Sequence, residues 1–138
     1  EQAALQTLAA EKLSAGQVVF HGMELNRDKV YGGFDVLVVC SEQEGLSLAI
    51  MEAMARRIPA IATNVGDSPK LVLNDATGYL YEYGDITTLV ALIAKFCADA
   101  AESQSALRLQ LGEHARTHMI ENFSLEKANE KYQRCYKS

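Results

Sequence analysis

Ser41-Glu42-Gln43-Glu44-Gly45-Leu46-Ser47-Leu48-Ala49-Ile50-Met51-Glu52-Ala53-Met54-Ala55 follows directly on Asp35-Val36-Leu37-Val38-Val39-Cys40. The upstream run has no polar alternation, the pattern of a strand buried on both faces of a parallel sheet. Gly45 then turns the chain. Helical spacing puts Leu46, Ile50, Ala53 and Met54 on one side, to pack on the sheet, and Leu48, Ala49, Met51 and Ala55 opposite. That predicts a helix over residues 46–55 covered all round. Glu52 is its only charged residue before Arg56, and a carboxylate in covered surroundings needs donors. Arg56, one turn on, is one candidate; ligand hydroxyls such as a ribose diol are another. The helix start offers N–H groups around Leu46, Ser47 and Leu48, and Gly45 lets a phosphate approach closely. Glu44 stands just outside that start, as a solvated loop acid or as an acid facing a cleft.

The 138 residues fit one domain, long enough to bury a core. Hydrophobic residues make up 49% and charged residues 22%, with a net charge of −5, so neither nucleic acid nor a strongly anionic membrane is the expected main partner. No apolar run reaches a membrane span, and no leader pattern opens the sequence. Cys40, Cys97 and Cys135 are odd in number, widely spaced and without a CxxC. They predict reduced thiols in a cytoplasmic protein, with no disulfide frame and no metal site.

Outward from the central stretch, strands and helices alternate. Residues 3–13 have helical spacing of Ala4, Leu5, Leu8, Ala9 and Leu13, ended by Gly16. Val18-Val19-Phe20 predicts a strand closed by His21-Gly22. Asn26 is placed to cap a short helix through Tyr31, stopped by Gly32-Gly33. Downstream, Pro59-Ala60-Ile61-Ala62-Thr63 predicts a buried strand and Asn64-Val65-Gly66-Asp67 a loop. Ser68-Pro69-Lys70-Leu71-Val72 is a helix start with Pro in its first turn. A turn follows at residues 74–78, then the strand Tyr79-Leu80-Tyr81. Ile86, Leu89, Val90, Ile93, Phe96 and Cys97 mark one helix face. Leu107, Leu111, Ala115 and Met119 mark a second. Ser124 precedes a third, with Leu125, Ala128, Tyr132 and Cys135. The fold class is α/β: a Rossmann-like parallel sheet covered by helices on both faces, with about four strands and a helical C-terminal end. A doubly wound sheet usually carries about six strands, so residues 1–138 are expected to be part of a larger domain.

Ser41-x-x-Glu44-Gly45-Leu46, Glu52-Ala53-Met54-Ala55, Pro59, Ala62-Thr63 and Val65-Gly66 together resemble the C-terminal domain of GT4 glycosyltransferases, which are retaining enzymes of the GT-B fold. The resemblance extends to Val18-Val19-Phe20-His21-Gly22, to Thr77-Gly78-Tyr79-Leu80 and to Asn122-Phe123-Ser124, and so covers nearly the whole chain. It implies a donor-binding half that takes a nucleotide-diphosphate sugar. Glu52 would hold the ribose hydroxyls, and Glu44, the catalytic acid, would face the donor sugar. Gly45, with backbone N–H groups of Leu46, Ser47 and Leu48, would bind the pyrophosphate. Gly22, Met23 and Leu25 would border the base, and Ser41 would line the cleft. No metal and no cofactor are implied. The family's first strands of this domain, with their basic diphosphate ligands, and its N-terminal acceptor domain are expected outside residues 1–138. Any contact with the inner membrane face would be made through those parts.

Two positions depart from the family pattern: Arg57 stands where glycine is usual, and Lys70 where Glu is often found, with Asp67 in the preceding loop. His114 and His118 are spaced i, i+4, which could bind a metal, but without a third ligand a solvated helix face is the plainer reading. His21 lines the cleft edge or serves a turn. Ser41 lacks the Gly-x-Ser-x-Gly surroundings of a nucleophile. The tyrosines suit packing better than ligand stacking. Alternatives to a retaining glycosyltransferase are an isolated nucleotide-binding module without turnover, another GT-B relative such as a sugar-nucleotide epimerase or a glucan synthase, and a purely structural domain.

Overall fold

The computed structural model describes residues 2–101 and 105–136 and divides into two compact units, Glu1–Gly33 and Phe34–Ser138. In the first unit, α1 (Gln2–Lys12) precedes Gly16, whose φ of 87° closes the turn, and α2 (Arg27–Tyr31) follows. The Asn26 side chain accepts from the N–H groups of Asp28 and Lys29 at 3.0 and 3.2 Å, the cap its residue type predicts. The strand expected at Val18-Val19-Phe20 does not form; the segment is irregular, and Val19 is 65% exposed. An apolar β-branched run becomes a strand only where a neighbour completes its ladder. Among the described residues none does.

The second unit holds one parallel sheet of three strands in the order β1 (Leu37–Val39), β2 (Ala60–Thr63) and β3 (Gly78–Tyr81). Leu37, Val38 and Val39 align with Ala60, Ile61 and Ala62, which align in turn with Gly78, Tyr79 and Leu80. β2 is buried along its whole length and β3 at three of its four residues, whereas β1 is half-buried throughout. The connections are α3 (Leu48–Ala55) and α4 (Ser68–Leu71), and α5 (Ile86–Ala101), α6 (Ala106–Phe123) and α7 (Leu125–Tyr136) close the chain.

The period-2 alternation of the strands sorts the core into two layers. Ala60 and Ala62 face Ile50 and Met54 of α3, Leu71 and Val72 at the end of α4, and Ala115 and Met119 of α6. Ile61, Tyr79 and Tyr81 face the opposite way, against Phe96 of α5 and Leu111 of α6. Small residues on one side of β2 let helices approach closely, and the large residues of the other side fill the second layer. Helices therefore cover both faces, as expected, and α6 contributes to both layers.

Three expected helix faces are corrected. Residues 46–55 begin their helix at Leu48, after Ser47 as N-cap, and Leu46 is 45% exposed instead of packing on the sheet. Nor is that helix covered all round, since Leu48 is 68% exposed. In α5 the inward stripe is Leu89, Leu92 and Phe96, while Ile86, Val90 and Cys97 lie outward. Leu125, Tyr132 and Cys135 of α7 are exposed. The apolar spacing was present in each case, but the sequence alone does not say which arc of an almost uncharged helix meets the sheet.

Arg57 is explained by the end of α3. It lies beyond the helix with φ 63°; its N–H bonds Met54 O at 3.0 Å, and Ile58 N–H bonds Ala53 O at 3.0 Å. That bond pair is a Schellman closure, which favours glycine at the left-handed position. Here arginine occupies it, pairing through Nε with Glu113 of α6, while Arg116 donates to the Ala55 carbonyl. A Cβ on Gly112 of α6 would come within 2.2 Å of Arg57 O, so α6 is seated directly on this helix end.

Candidate functional site

The end of β1, the loop behind it and the start of α3 form one hydrogen-bonded unit. Thr63, last residue of β2, donates its hydroxyl to the Ser41 carbonyl at 2.7 Å, and Ser41 Oγ donates to Glu44 Oε1 at 2.8 Å. Ser41 therefore ties Glu44 to the end of β2. The loop after β2 clamps the same segment: Gly66 has φ 54°, and a Cβ there would sit 1.7 Å from Glu44 O. Only a residue without a side chain fits. Glu44 is thus held by its side chain from Ser41 and overlaid at its main chain by Gly66, and it stays half-buried.

Beyond Gly45, which is exposed with open space at its Cβ position, the chain reaches Ser47. Met51 N–H bonds Ser47 O at 3.2 Å, so the N–H groups of Leu48, Ala49 and Ile50 precede the first intrahelical bond. The helix start, with its N–H groups lacking intrahelical acceptors, thus falls at residues 48–50, two positions later than the expected 46–48, and Leu46 lies outside it. Glu52 follows one turn after Leu48, half-buried. Arg56 donates to the main-chain oxygen of Glu52 at 3.3 Å. In the first unit, Gly22 has φ 68°, and Met23 and Leu25 are 91% and 85% exposed.

Around this unit, Tyr81 bonds Val39 O at 3.5 Å, and its phenol is held far above its ordinary pKa by burial and then by hydrogen bonding to the Cys40 thiol. It stays neutral. Asn64 donates to Glu82 at 2.8 Å, tying the loop after β2 to the end of β3. Lys70, one of the positions that depart from the family pattern, pairs with Asp67 of the preceding loop at 2.6 Å. His118 Nε2 lies 3.0 Å from Lys70 O with Nδ1 3.1 Å from the Asn122 amide nitrogen, and His114 Nδ1 lies 3.3 Å from Ala76 O. Both histidines dock α6 against the segment after β2. Among the described residues no three His, Cys, Asp or Glu side chains are grouped to hold a metal.

Two contributors were not singled out in the sequence. In the sequence Thr63 is only a strand end and part of the family pattern, and Gly66 only loop and family pattern. A glycine three residues beyond a buried strand was the one available signal for the second; nothing in sequence spacing pointed Thr63 at Ser41.

A parallel sheet with helices on both faces, and a strand–loop–helix junction carrying two acids beyond the carboxyl end of β1, fit a domain of the GT-B glycosyltransferase type. The family described as glycosyl transferases group 1 matches residues 1–118, and the chain belongs to it. N-acetyl-alpha-D-glucosaminyl L-malate synthase of Bacillus anthracis is 32% identical over 120 residues, covering 87% of this chain and 30% of its own length. The crystal structure of a glycosyltransferase from Rickettsia africae ESF-5 superposes with a TM-score of 0.86 at 27% identity, covering 99% of this chain and 35% of that one. A TarM structure from S. aureus gives 0.84 at 25% identity, covering 99% of this chain and 27% of that one. The chain spans about a third of the length of such relatives.

Proposed function

We propose that this chain is the donor-binding part of a retaining GT4 glycosyltransferase, which transfers a sugar from a nucleotide-diphosphate sugar to an acceptor held by another domain of the full-length protein. The observation that carries the reading is the clamped arrangement Ser41–Glu44–Gly66 leading into the N–H groups at the start of α3, with Glu52 one turn further on. Such a start binds a diphosphate through main-chain donors and the helix field. In support, the TarM structure is of a complex that includes UDP.

In this reading Glu52 accepts hydrogen bonds from the ribose diol, and Glu44 faces the donor sugar near the reacting carbon. Sugar transfer breaks the bond between the anomeric carbon and the β-phosphate oxygen, so negative charge develops on the diphosphate. The helix start lies where that charge grows and stabilises it electrostatically. The leaving phosphate accepts the acceptor's proton, and no metal takes part. The enzyme works in the cytoplasm. No helix among the described residues is long and apolar enough to cross a membrane.

Steady-state kinetics of the full-length enzyme separate the two acids. Glu52→Ala raises the donor KM, and Glu44→Ala chiefly lowers kcat, with donor KM nearly retained. Unchanged kinetics in both variants would overturn the assignment.

A further inference from the structure

β2 is apolar from Ala60 to Ala62 and ends on a hydroxyl. Thr63 is 1% exposed, a place that valine would fill with similar volume and the same strand preference. A hydroxyl taken out of water costs free energy unless a hydrogen bond replaces its hydration. Thr63 has that bond, donating to Ser41 O at 2.7 Å. Its place follows from where the ladder stops. β1 and β2 run in register from Leu37–Ala60 to Val39–Ala62, whereas Thr63 continues the β2 ladder with β3, opposite Tyr81. On the β1 side the Thr63 side chain therefore takes over where main-chain pairing ends, and it holds a loop residue two positions past the strand.

Ser41 in turn donates from Oγ to Glu44 Oε1 at 2.8 Å. The serine thus carries two bonds in series, one fixing its main chain to a fully buried strand and one fixing the carboxylate. Ser41 and Glu44 are both half-buried and both lie outside any helix or strand. Gly66 limits where the Glu44 main chain goes, and the Thr63–Ser41 series limits where its carboxylate goes.

We propose that Thr63 is a positioning residue for sugar transfer: its hydroxyl, acting through Ser41, sets the direction of the Glu44 carboxylate. The inference rests on the reading above in which Glu44 faces the donor sugar near the reacting carbon, and it extends the working part of the site from the loop into the buried sheet. Loss of the hydroxyl frees the Ser41 carbonyl and lets the carboxylate turn, and a misplacement of about 1 Å can cost about 10²-fold in rate. Donor affinity stays with the helix start and Glu52.

The test is steady-state kinetics of the full-length enzyme with Thr63→Val, Thr63→Ser, Ser41→Ala, the double variant Thr63→Val/Ser41→Ala, and Glu44→Ala. Thr63→Val is expected to lose about tenfold to a hundredfold in kcat at unchanged donor KM. Thr63→Ser, which keeps the hydroxyl, recovers most of that loss. Added to Ser41→Ala, the valine costs nothing further, because the two bonds act in series, whereas independent sites would add. Should Thr63→Val not fold, Ser41→Ala carries the test, and the inference then requires a loss of kcat without a change in donor KM. Wild-type kcat in Thr63→Val or in Ser41→Ala, with Glu44→Ala impaired, overturns the inference and leaves the donor-binding reading standing. Additive losses in the double variant, or a loss that falls on KM, overturn it too, by making Thr63 a packing residue alone. Wild-type kcat in Glu44→Ala overturns the role given to Glu44 and the inference with it.

Discussion

Gly66→Ala is the perturbation that most directly probes how Glu44 is held. At φ 54° an alanine pays about 1–2 kcal/mol for the left-handed backbone. Its Cβ would also stand 1.7 Å from Glu44 O, whereas ordinary contact begins near 3.4 Å, so the two loops must separate by about 1.7 Å. That displacement falls on the residue proposed to face the reacting carbon, where a misplacement of about 1 Å can cost 10²-fold in rate. Gly84 supplies the control, because it has φ 84° with nothing within 4 Å of a built Cβ. Gly84→Ala therefore carries the backbone cost without the collision. Urea unfolding of both variants should show a loss of about 1–2 kcal/mol for Gly84→Ala and a larger one for Gly66→Ala. Sugar-transfer assays of the full-length enzyme should show turnover reduced about 10²-fold for Gly66→Ala only. Equal stability losses, with turnover intact in both, would refute the claim that Gly66 clamps Glu44.

Other expectations concern the scaffold. Asp99 of α5 accepts from Leu107 and Arg108 N–H at 2.8 and 3.1 Å, capping α6 in place of Ser105, so Asp99→Ala should cost about 1–2 kcal/mol in chemical denaturation. Gly112→Ala would drive a Cβ into Arg57 O and unseat α6 from the end of α3, lowering stability by about 1–3 kcal/mol by the same assay. Asp85 accepts from the Thr88 hydroxyl and N–H, which hold its carboxyl below the usual range. A depressed native pKa means its contribution is present above the unfolded-state pKa and disappears as pH falls through the native one. The melting-temperature gap between the wild type and Asp85→Ala should therefore be widest near neutrality and close in acid; a gap that persists unchanged at low pH would contradict the cap.

Much of the fold was legible because its signals were local. The uninterrupted apolar run before Ser41, the glycine at position 45 and the acid spacing from Glu44 to Glu52 placed strand, turn and helix in order, and Asn26 capped where its side chain predicts. What was not legible depended on partners distant in sequence. Val18-Val19-Phe20 has the composition of a strand but no ladder among the described residues. On α5, Leu92 and Val90 are chemically alike, and only packing against the Ile61, Tyr79, Tyr81, Phe96 and Leu111 layer decides that Leu92 faces inward. Arg57 by its own residue type does not signal a left-handed backbone; the glycine usual at this position in the family does. At the site, spacing left Glu44 and Glu52 open between solvated acids and ligand contacts, and their roles came from the family resemblance. Thr63 of β2 holds Ser41, and Gly66 of the loop after it overlies Glu44, each 22 residues downstream of the residue it meets.

The central claim is that the start of α3, with Glu52 behind it, binds the nucleoside diphosphate of a sugar donor. Titrating UDP, GDP and ADP separately into the full-length protein and into Glu52→Ala, with heat as the readout, tests it most directly. The account predicts saturable binding of one of the three and a loss of about tenfold or more on Glu52→Ala, as expected when a charged acceptor is removed from two hydroxyls. Binding of none, or equal binding by both proteins, would contradict it.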